Sequence, residues 1–418
     1  MAPQDSVWRW LREIDVPSDP AISPPYPASP TPSVPPQRKR RILDRPAHPA
    51  KRLRKDDFDS DKSASAAFDR RSRQQRSTAS RNRDRLQDLR VAKPAVLCEL
   101  PWTIPLPDNA ASCCASLTDH LHQRVIPGGL KDRIATAFPL IAKTIPDHAY
   151  DDADTRSDRE LDQLWELVIE ILEQARDASR YQQDYNAWSH KVVYPTLQLA
   201  LRGTMLEAES VQSQSINSEL LPTMPKEEPT QQMCSYTFAF HRHSNEVAQT
   251  YQALGQAGRG DLLSPTTDPN TKRLILFAGV GVLEENGGKD DALAQLASWL
   301  AASMENTRRL GNWSASTPRS YCDLLPLIGW TVVGHDWYTY IAFGSDQDQL
   351  HILGPWRSAA ADTRDLYGFF RLVKLLQRAS SYATSRYWPW LRQEILNGLR
   401  TSTRDVVHRL DNGPSSES

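Results

Sequence analysis

The sequence lacks the features that place a protein in a membrane or carry it across one. No apolar run reaches the roughly 18 residues of a transmembrane helix, and the mean hydropathy is −0.57. Residues 1–17 contain no long apolar core of the kind that a secretory signal peptide has. These absences predict an intracellular protein that is not secreted and has no membrane partner.

Cysteine is scarce, and a phosphate-binding loop is missing. The 418 residues include five cysteines, an odd number without the paired spacing of a zinc site. Such thiols are typical of a reducing compartment. Residues 255–261 are rich in glycine, but no strand precedes them and no Lys-Ser or Lys-Thr pair follows, which argues against nucleotide binding there.

Proline and positive charge are concentrated towards the N-terminus. Many of the 30 prolines fall in residues 17–36, and residues 37–90 contain 18 Lys and Arg against 8 Asp. Low hydrophobicity with this composition predicts a disordered leader over residues 1–90. We expect one folded domain over residues 91–400, with its core at about 150–397, and a disordered tail over residues 401–418.

The leader contains two basic clusters about ten residues apart. They consist of Arg38, Lys39, Arg40 and Arg41, and of Lys51, Arg52, Arg54 and Lys55. This spacing is typical of a bipartite nuclear-import signal and predicts a nuclear protein. A solvated charge run is the alternative, and a non-specific tether for nucleic acid is compatible with either reading.

The middle of the domain reads as a strand, a turn and a helix. Residues 274–283 are an apolar run typical of a buried central strand, and residues 286–288 supply a turn. Asp290 or Asp291 is expected to cap the helix that follows. Its apolar positions recur at helical spacing: Leu293, Leu296, Trp299 and Leu300.

The flanking segments predict an α/β or α+β domain in which a mixed central sheet is flanked by helices. Ser157 and Glu160 have the spacing of a capping box at the start of a long helix. A second helix contains Pro195, where a kink is expected, and residues 203–231 are expected to be a loop. The other predicted elements are helices at 157–181, 184–201, 365–380 and 387–399, and strands at 234–240, 324–333, 337–343 and 350–353.

Four segments in sequence resemble the fungal PD-(D/E)XK nuclease-like family. Residues 188–197, WSHKVVYPTL, are similar to its WNxxVHxPLL helix, and residues 280–299 resemble its core strand and AxxQLxxW helix. Residues 325–337 resemble its LPLLxxxGHDW segment, and residues 362–368 and 387–390 its C-terminal helices. The resemblance covers most of the predicted core and implies a restriction-endonuclease-like fold.

The resemblance also implies where catalysis would occur. In this family an Asp on one strand and a Glu-x-Lys pair on the next hold Mg²⁺ and stabilise the transition state. The corresponding residues here are Ser235, Leu283 and Glu285. A leucine cannot bind a metal, and a glutamate has the wrong charge to replace the lysine. We therefore expect a degenerate catalytic site, no cofactor, and a binding role towards nucleic acid or a protein partner.

Two other functions remain open. In a shifted register, Glu284 or Glu285 would bind Mg²⁺ and Lys289 would supply the cation, giving an active Mg²⁺-dependent DNA endonuclease. A one-residue shift, however, turns every side chain to the opposite face of the sheet. The second alternative is a protein-interaction scaffold that does not bind nucleic acid, in which the leader serves only for targeting.

Two histidine motifs have both a functional and a structural interpretation. His241 and His243 could be a pair of metal ligands, but without a further clustered ligand such a pair is more typical of an exposed strand end. His335 and Asp336 could act as a general base with its orienting carboxylate. Their expected place in a turn between strands favours a structural role.

Overall fold

The computed structural model describes residues 85–224, 234–313 and 317–399. The two basic clusters and residues 401–418, for which targeting and disorder are predicted, lie outside the described residues. The described part belongs to a single unit, residues 75–418. No helix in this part of the chain combines the length and the apolar character needed to cross a bilayer.

Ten strands form in the described residues. They are β1 (Val96–Glu99), β2 (Ile126–Pro127), β3 (Tyr150–Asp151), β4 (Leu206–Ser210), β5 (Tyr236–Phe240), β6 (Gly279–Leu283), β7 (Leu327–Val333), β8 (Asp336–Gly344), β9 (Leu350–Leu353) and β10 (Ala361–Asp362). Eight of them build one sheet in the order β1-β9-β8-β7-β6-β5-β4, with β10 paired to β8. The pairs β1–β9 and β6–β7 are parallel, and the other pairs in this sheet are antiparallel.

Helices cover this mixed sheet, so the predicted fold class is confirmed. The α-helices are α1 (Asp108–Thr118), α2 (Lys131–Ala137), α3 (Pro139–Ala142), α4 (Asp158–Arg180), α5 (Tyr185–Ala187), α6 (Tyr194–Leu201), α7 (Asn245–Gln256), α8 (Lys289–Asn312), α9 (Leu366–Tyr382) and α10 (Trp388–Trp390). Residues 85–90 are also helical. Three π-helical segments lie beside these helices: Trp188–Val193, Ala383–Tyr387 and Leu391–Leu396. Short 3₁₀ turns occupy Gly128–Leu130, Asp147–Ala149, Ser218–Leu220, Thr271–Arg273, Tyr321–Asp323, Arg357–Ala359 and Asn397–Leu399.

Glycines let helix α8 lie close to the centre of the sheet. Gly279 and Gly329 are directly paired on β6 and β7. A Cβ at Gly279 would come within 2.6 Å of Trp299, and one at Gly329 within 2.7 Å of Leu296. A Cβ at Gly281, the next position on this face, would lie 3.5 Å from the backbone of α8 and 4.0 Å from that of β7. Gly279 and Gly281, the small residues inside the predicted strand, therefore form the surface against which α8 packs.

The capping box was predicted correctly, but several boundaries were not. Ser157 caps α4, and the Glu160 carboxylate accepts the Ser157 N–H at 2.8 Å. Helix α8 instead has Gly288 as its N-cap, so Asp290 and Asp291 lie in the first turn. There a carboxylate interacts favourably with the positive end of the helix dipole.

Three further predictions need correction. The strand predicted over residues 274–283 is regular only from 279, because residues 275–277 bond irregularly to β5. The predicted helix over 184–201 consists of α5, a π-helical segment and α6, and Pro195 lies in the first turn of α6. The loop predicted over 203–231 contains the edge strand β4, whose polar sequence does not resemble a buried strand.

Candidate functional site

Ser235 lies where β5 begins, beside β6, and its hydroxyl is occupied by hydrogen bonds. Its N–H donates to the Val280 carbonyl at 2.8 Å, and its Oγ accepts the Val282 N–H at 3.1 Å. The Tyr185 hydroxyl lies 3.0 Å from the same Oγ and donates to Gln212 at 2.5 Å. Ser235 is only 3% exposed. Neutral groups of the protein therefore satisfy the hydrogen-bonding capacity of Ser235.

Leu283 and Glu285 lie where β6 ends. Leu283 is half-buried opposite Val333, and alternation along β6 places it on the face that α8 covers. Glu284 is half-buried, and Glu285 is exposed in the turn that follows. Gly334, at φ +57°, lets the β7–β8 turn lie against Glu285, since a Cβ there would be 2.8 Å from the Glu285 Cβ.

The charged side chains near this edge are engaged with one another. Lys289, the first residue of α8, places its Nζ 4.4 Å from the centre of the Tyr338 ring. Asp336 forms an ion pair with Arg364. The hydrogen bond from Arg364 is the main influence that lowers the pKa of Asp336, and Lys289 adds a smaller effect of the same sign. Asp336 is therefore a charged ion-pair partner near neutral pH.

His335 is held as a neutral structural group. Its Nδ1 lies 2.9 Å from Thr363 Oγ1, and its ring meets the Trp188 ring edge-on at 5.0 Å. Burial, followed by the positive charge of Arg364, lowers the pKa of His335, although Glu285 opposes this shift. The side chain is 9% exposed. This setting agrees with the structural interpretation of the His335–Asp336 motif, in the turn expected for it.

The family model of the PD-(D/E)XK nuclease superfamily matches residues 137–388, which is more than half of the chain. The chain belongs to this superfamily. A comparison with curated proteins and one with solved structures gave no match. Membership of the PD-(D/E)XK superfamily, which the four sequence segments predicted, is thus confirmed.

Hydrolysis in this superfamily would call for Mg²⁺, which takes hard oxygen ligands in nearly octahedral geometry. The positions that the resemblance assigns to the Asp, Glu and Lys are Ser235, Leu283 and Glu285. They offer one exposed carboxylate and one hydroxyl that is already hydrogen-bonded. This donor set does not fit Mg²⁺. Glu284, Glu285 and Lys289 flank the same turn, but the two carboxylates belong to no convergent group of three metal-binding side chains among the described residues.

Such a convergent group exists elsewhere in the described part of the chain. The ligand atoms of Glu207, His241 and His243 all lie within 4.8 Å of one another. The sequence indicated the two histidines as a possible ligand pair but not Glu207. The proximity of Glu207 to them depends on the pairing of β4 with β5. The alternating pattern LEAES at residues 206–210 was the signal that could have indicated an edge strand there.

Proposed function

We propose that this member of the PD-(D/E)XK superfamily is a nuclear protein that has lost phosphodiester hydrolysis and acts as a binding module, with nucleic acid as its ligand. The observation that supports the loss is the environment of Ser235. Its Oγ accepts a backbone N–H within the sheet and lies against Tyr185. A position used in this way holds neighbouring strands together, and its hydroxyl is already engaged in hydrogen bonds within the protein.

The charge at the end of β6 supports the same proposal. Glu284 and Glu285 lie at the strand end where a phosphate would approach a nuclease site. Two carboxylates without a metal ion repel a phosphodiester, because like charges at short range disfavour binding. Nucleic acid is therefore expected to contact other surfaces, foremost the two basic clusters of the leader.

A nicking assay tests the loss of activity. Supercoiled plasmid is incubated with the full-length protein and either Mg²⁺ or Mn²⁺, and Glu284→Ala/Glu285→Ala is the matched control for contaminating nucleases. We expect no metal-dependent cleavage above the level of the double variant. Cleavage by the wild type that the double variant lacks would overturn the proposal.

That contrary outcome would favour the active endonuclease with relocated ligands. The placement of Lys289 is the observation in favour of this function. It begins α8 directly after the turn that contains Glu284 and Glu285, and its charge acts on Asp336. Lys289→Ala would then reduce cleavage together with the glutamate variants, whereas it leaves a binding module's affinity for nucleic acid nearly unchanged.

A protein-binding scaffold is the second alternative, and charge is the observation in its favour. The described residues include 28 Lys and Arg against 35 Asp and Glu. A domain with excess negative charge attracts a polyanion weakly at best. If the leader acts only in nuclear import, binding to nucleic acid would be absent even at low salt.

A further inference from the structure

We propose that Glu207, His241 and His243 bind one transition-metal ion of the zinc type. This site is separate from the positions that correspond to the family's catalytic residues. Ser235 precedes β5, whereas His241 directly follows its last residue, so the two sites lie at opposite ends of one strand. The proposal stands whether or not the domain cleaves nucleic acid.

Strand pairing brings Glu207 and His241 together. Glu207 is directly opposite Ala239 in the antiparallel β4–β5 ladder. His241 follows two residues later, so the two side chains are diagonal neighbours on one face of the sheet. The backbone N–H of His241 donates to the Met205 carbonyl at 2.9 Å, which extends the pairing to this residue. The His241 Nε2 contacts the Glu207 carboxylate.

A turn after β5 brings in the third side chain. The Ser244 N–H donates to the His241 carbonyl at 3.1 Å, and this closure places the rings of His241 and His243 with their centres 4.1 Å apart. The His243 N–H donates to the Nδ1 of His241 at 2.7 Å, so a neutral His241 ring has its proton on Nε2. An ion that binds Nε2 moves this proton to Nδ1 and exchanges the turn hydrogen bond for a metal bond.

The donor set selects the ion. Two imidazole nitrogens and one carboxylate oxygen suit Zn²⁺ and its neighbours in the first transition row, whereas Mg²⁺ requires oxygen ligands. Bonds of about 2.0–2.2 Å in a tetrahedral site place the ligand atoms roughly 3.3–3.5 Å apart. Ligand atoms within 4.8 Å of one another reach this geometry by small rotations of partly exposed side chains.

Three protein ligands leave one position of a tetrahedral ion open. Glu207 and His241 also line a groove of about 610 Å³, together with Tyr194, Gln198 and Arg202. The open position is therefore accessible from this groove. The positive charge of Arg202 favours a small ligand with an acidic group as the fourth partner of the ion.

Metal titration of the full-length protein tests the site. The protein is purified without a histidine tag, stripped with a chelator and titrated with Zn²⁺ by calorimetry. Co²⁺ serves as a spectroscopic probe of tetrahedral coordination. The site variant is Glu207→Gln/His243→Ala. The control is His122→Ala/His148→Ala, which removes another pair of neighbouring histidines, whose ring centres are 5.3 Å apart and which belong to no convergent group among the described residues.

We expect the wild type and the control to bind one Zn²⁺ per chain with the same affinity, and the site variant to bind it at least 10-fold more weakly. Co²⁺ should give tetrahedral absorption in the wild type and lose it in the site variant. Equal Zn²⁺ binding by the wild type and the site variant, as thiol-bound zinc would give, overturns the proposal, and so does the absence of binding in the wild type. If the double variant does not fold, His243→Ala alone gives the same comparison, because it changes only an exposed turn residue.

Discussion

His335 shows how a side chain with a catalytic appearance can be fixed in a structural role. The residue is buried between Trp188 and Thr363, and the ion pair of Asp336 with Arg364 places a positive charge nearby. Protonation of the ring would add a second positive charge in a site with little water. The uncharged ring is therefore the form that the folded protein stabilises.

This environment predicts a pH dependence of stability. Because the pKa of His335 is lowered in the folded state, the unfolded chain takes up a proton first when the pH falls below about 6.5. The contribution of His335 to the free energy of unfolding is fully present above that pH. It is lost as the pH falls from there through the lower pKa of the folded state. We expect the free energy of unfolding, measured in urea between pH 7.5 and pH 5, to fall less steeply in His335→Asn. The control is His148→Asn, at an exposed position, and an equal slope in both variants would refute the assignment.

At the scale of secondary-structure elements, the contact of α8 with β6 and β7 positions the strand end. Trp299 packs over Gly279, and its indole N–H donates to the Ala278 carbonyl at 3.1 Å. The ring is both buried and hydrogen-bonded, so it cannot move aside without losing a contact. The close approach of α8 in turn places Lys289 beside the end of the sheet.

Two alanine substitutions on β6 test this packing. Gly279→Ala introduces a methyl group 2.6 Å from Trp299, and we expect a loss of about 1–3 kcal/mol in the free energy of unfolding from overpacking. Gly281→Ala is the matched control, since its nearest neighbour is 3.5 Å away. It should change stability by less than about 1 kcal/mol, because reduced freedom of the unfolded chain offsets any small strain. Chemical denaturation measures the free energy of unfolding of both variants. Similar losses in the two would contradict the view that α8 packs closely because of the glycine at position 279.

The elements that the sequence predicted well are those whose signal is local. Apolar spacing and the Ser157 capping box place α4 to within a residue, and the β-rich centre and the final helices follow from residue pattern alone. Strand β4 was not predicted, because an edge strand needs no apolar face and its assignment depends on its partner β5. The proximity of Glu207 to the two histidines was not predicted for the same reason. At the family's catalytic positions, the resemblance indicated which residues to inspect, but only the fold reveals that the Ser235 hydroxyl is hydrogen-bonded within the sheet.

At the scale of the whole molecule, charge is divided between the leader and the domain. The described residues have an excess of Asp and Glu, whereas residues 37–90 have an excess of Lys and Arg. Such a division favours a basic segment that makes the contacts to a polyanion while the folded domain contributes little to the long-range attraction.

The division predicts which residues govern binding to DNA. Each lysine or arginine that neutralises a phosphate contributes about −0.9 to the slope of log K against log salt concentration. We expect the slope of the full-length protein to become clearly less negative when the eight residues of the two basic clusters are replaced by Gln, while the other Lys and Arg of residues 37–90 retain part of it. The same variant, fused to a fluorescent protein, should lose nuclear accumulation. A control variant with Gln at Arg371 and Lys374 of α9 should keep both properties, and an unchanged slope in the leader variant would count against the leader as the contact surface.

The buried hydroxyl of Ser235 has a consequence for how such a domain can change over generations. An aspartate at this position would place a carboxylate in a site that is 3% exposed, where the Val282 N–H and the Tyr185 hydroxyl now meet the serine Oγ. Without a metal ion, burial would penalise that charge and lower the stability of the protein. Ser235→Asp alone is therefore expected to destabilise the fold rather than to complete a metal site, so a carboxylate at this position would need compensating changes around it.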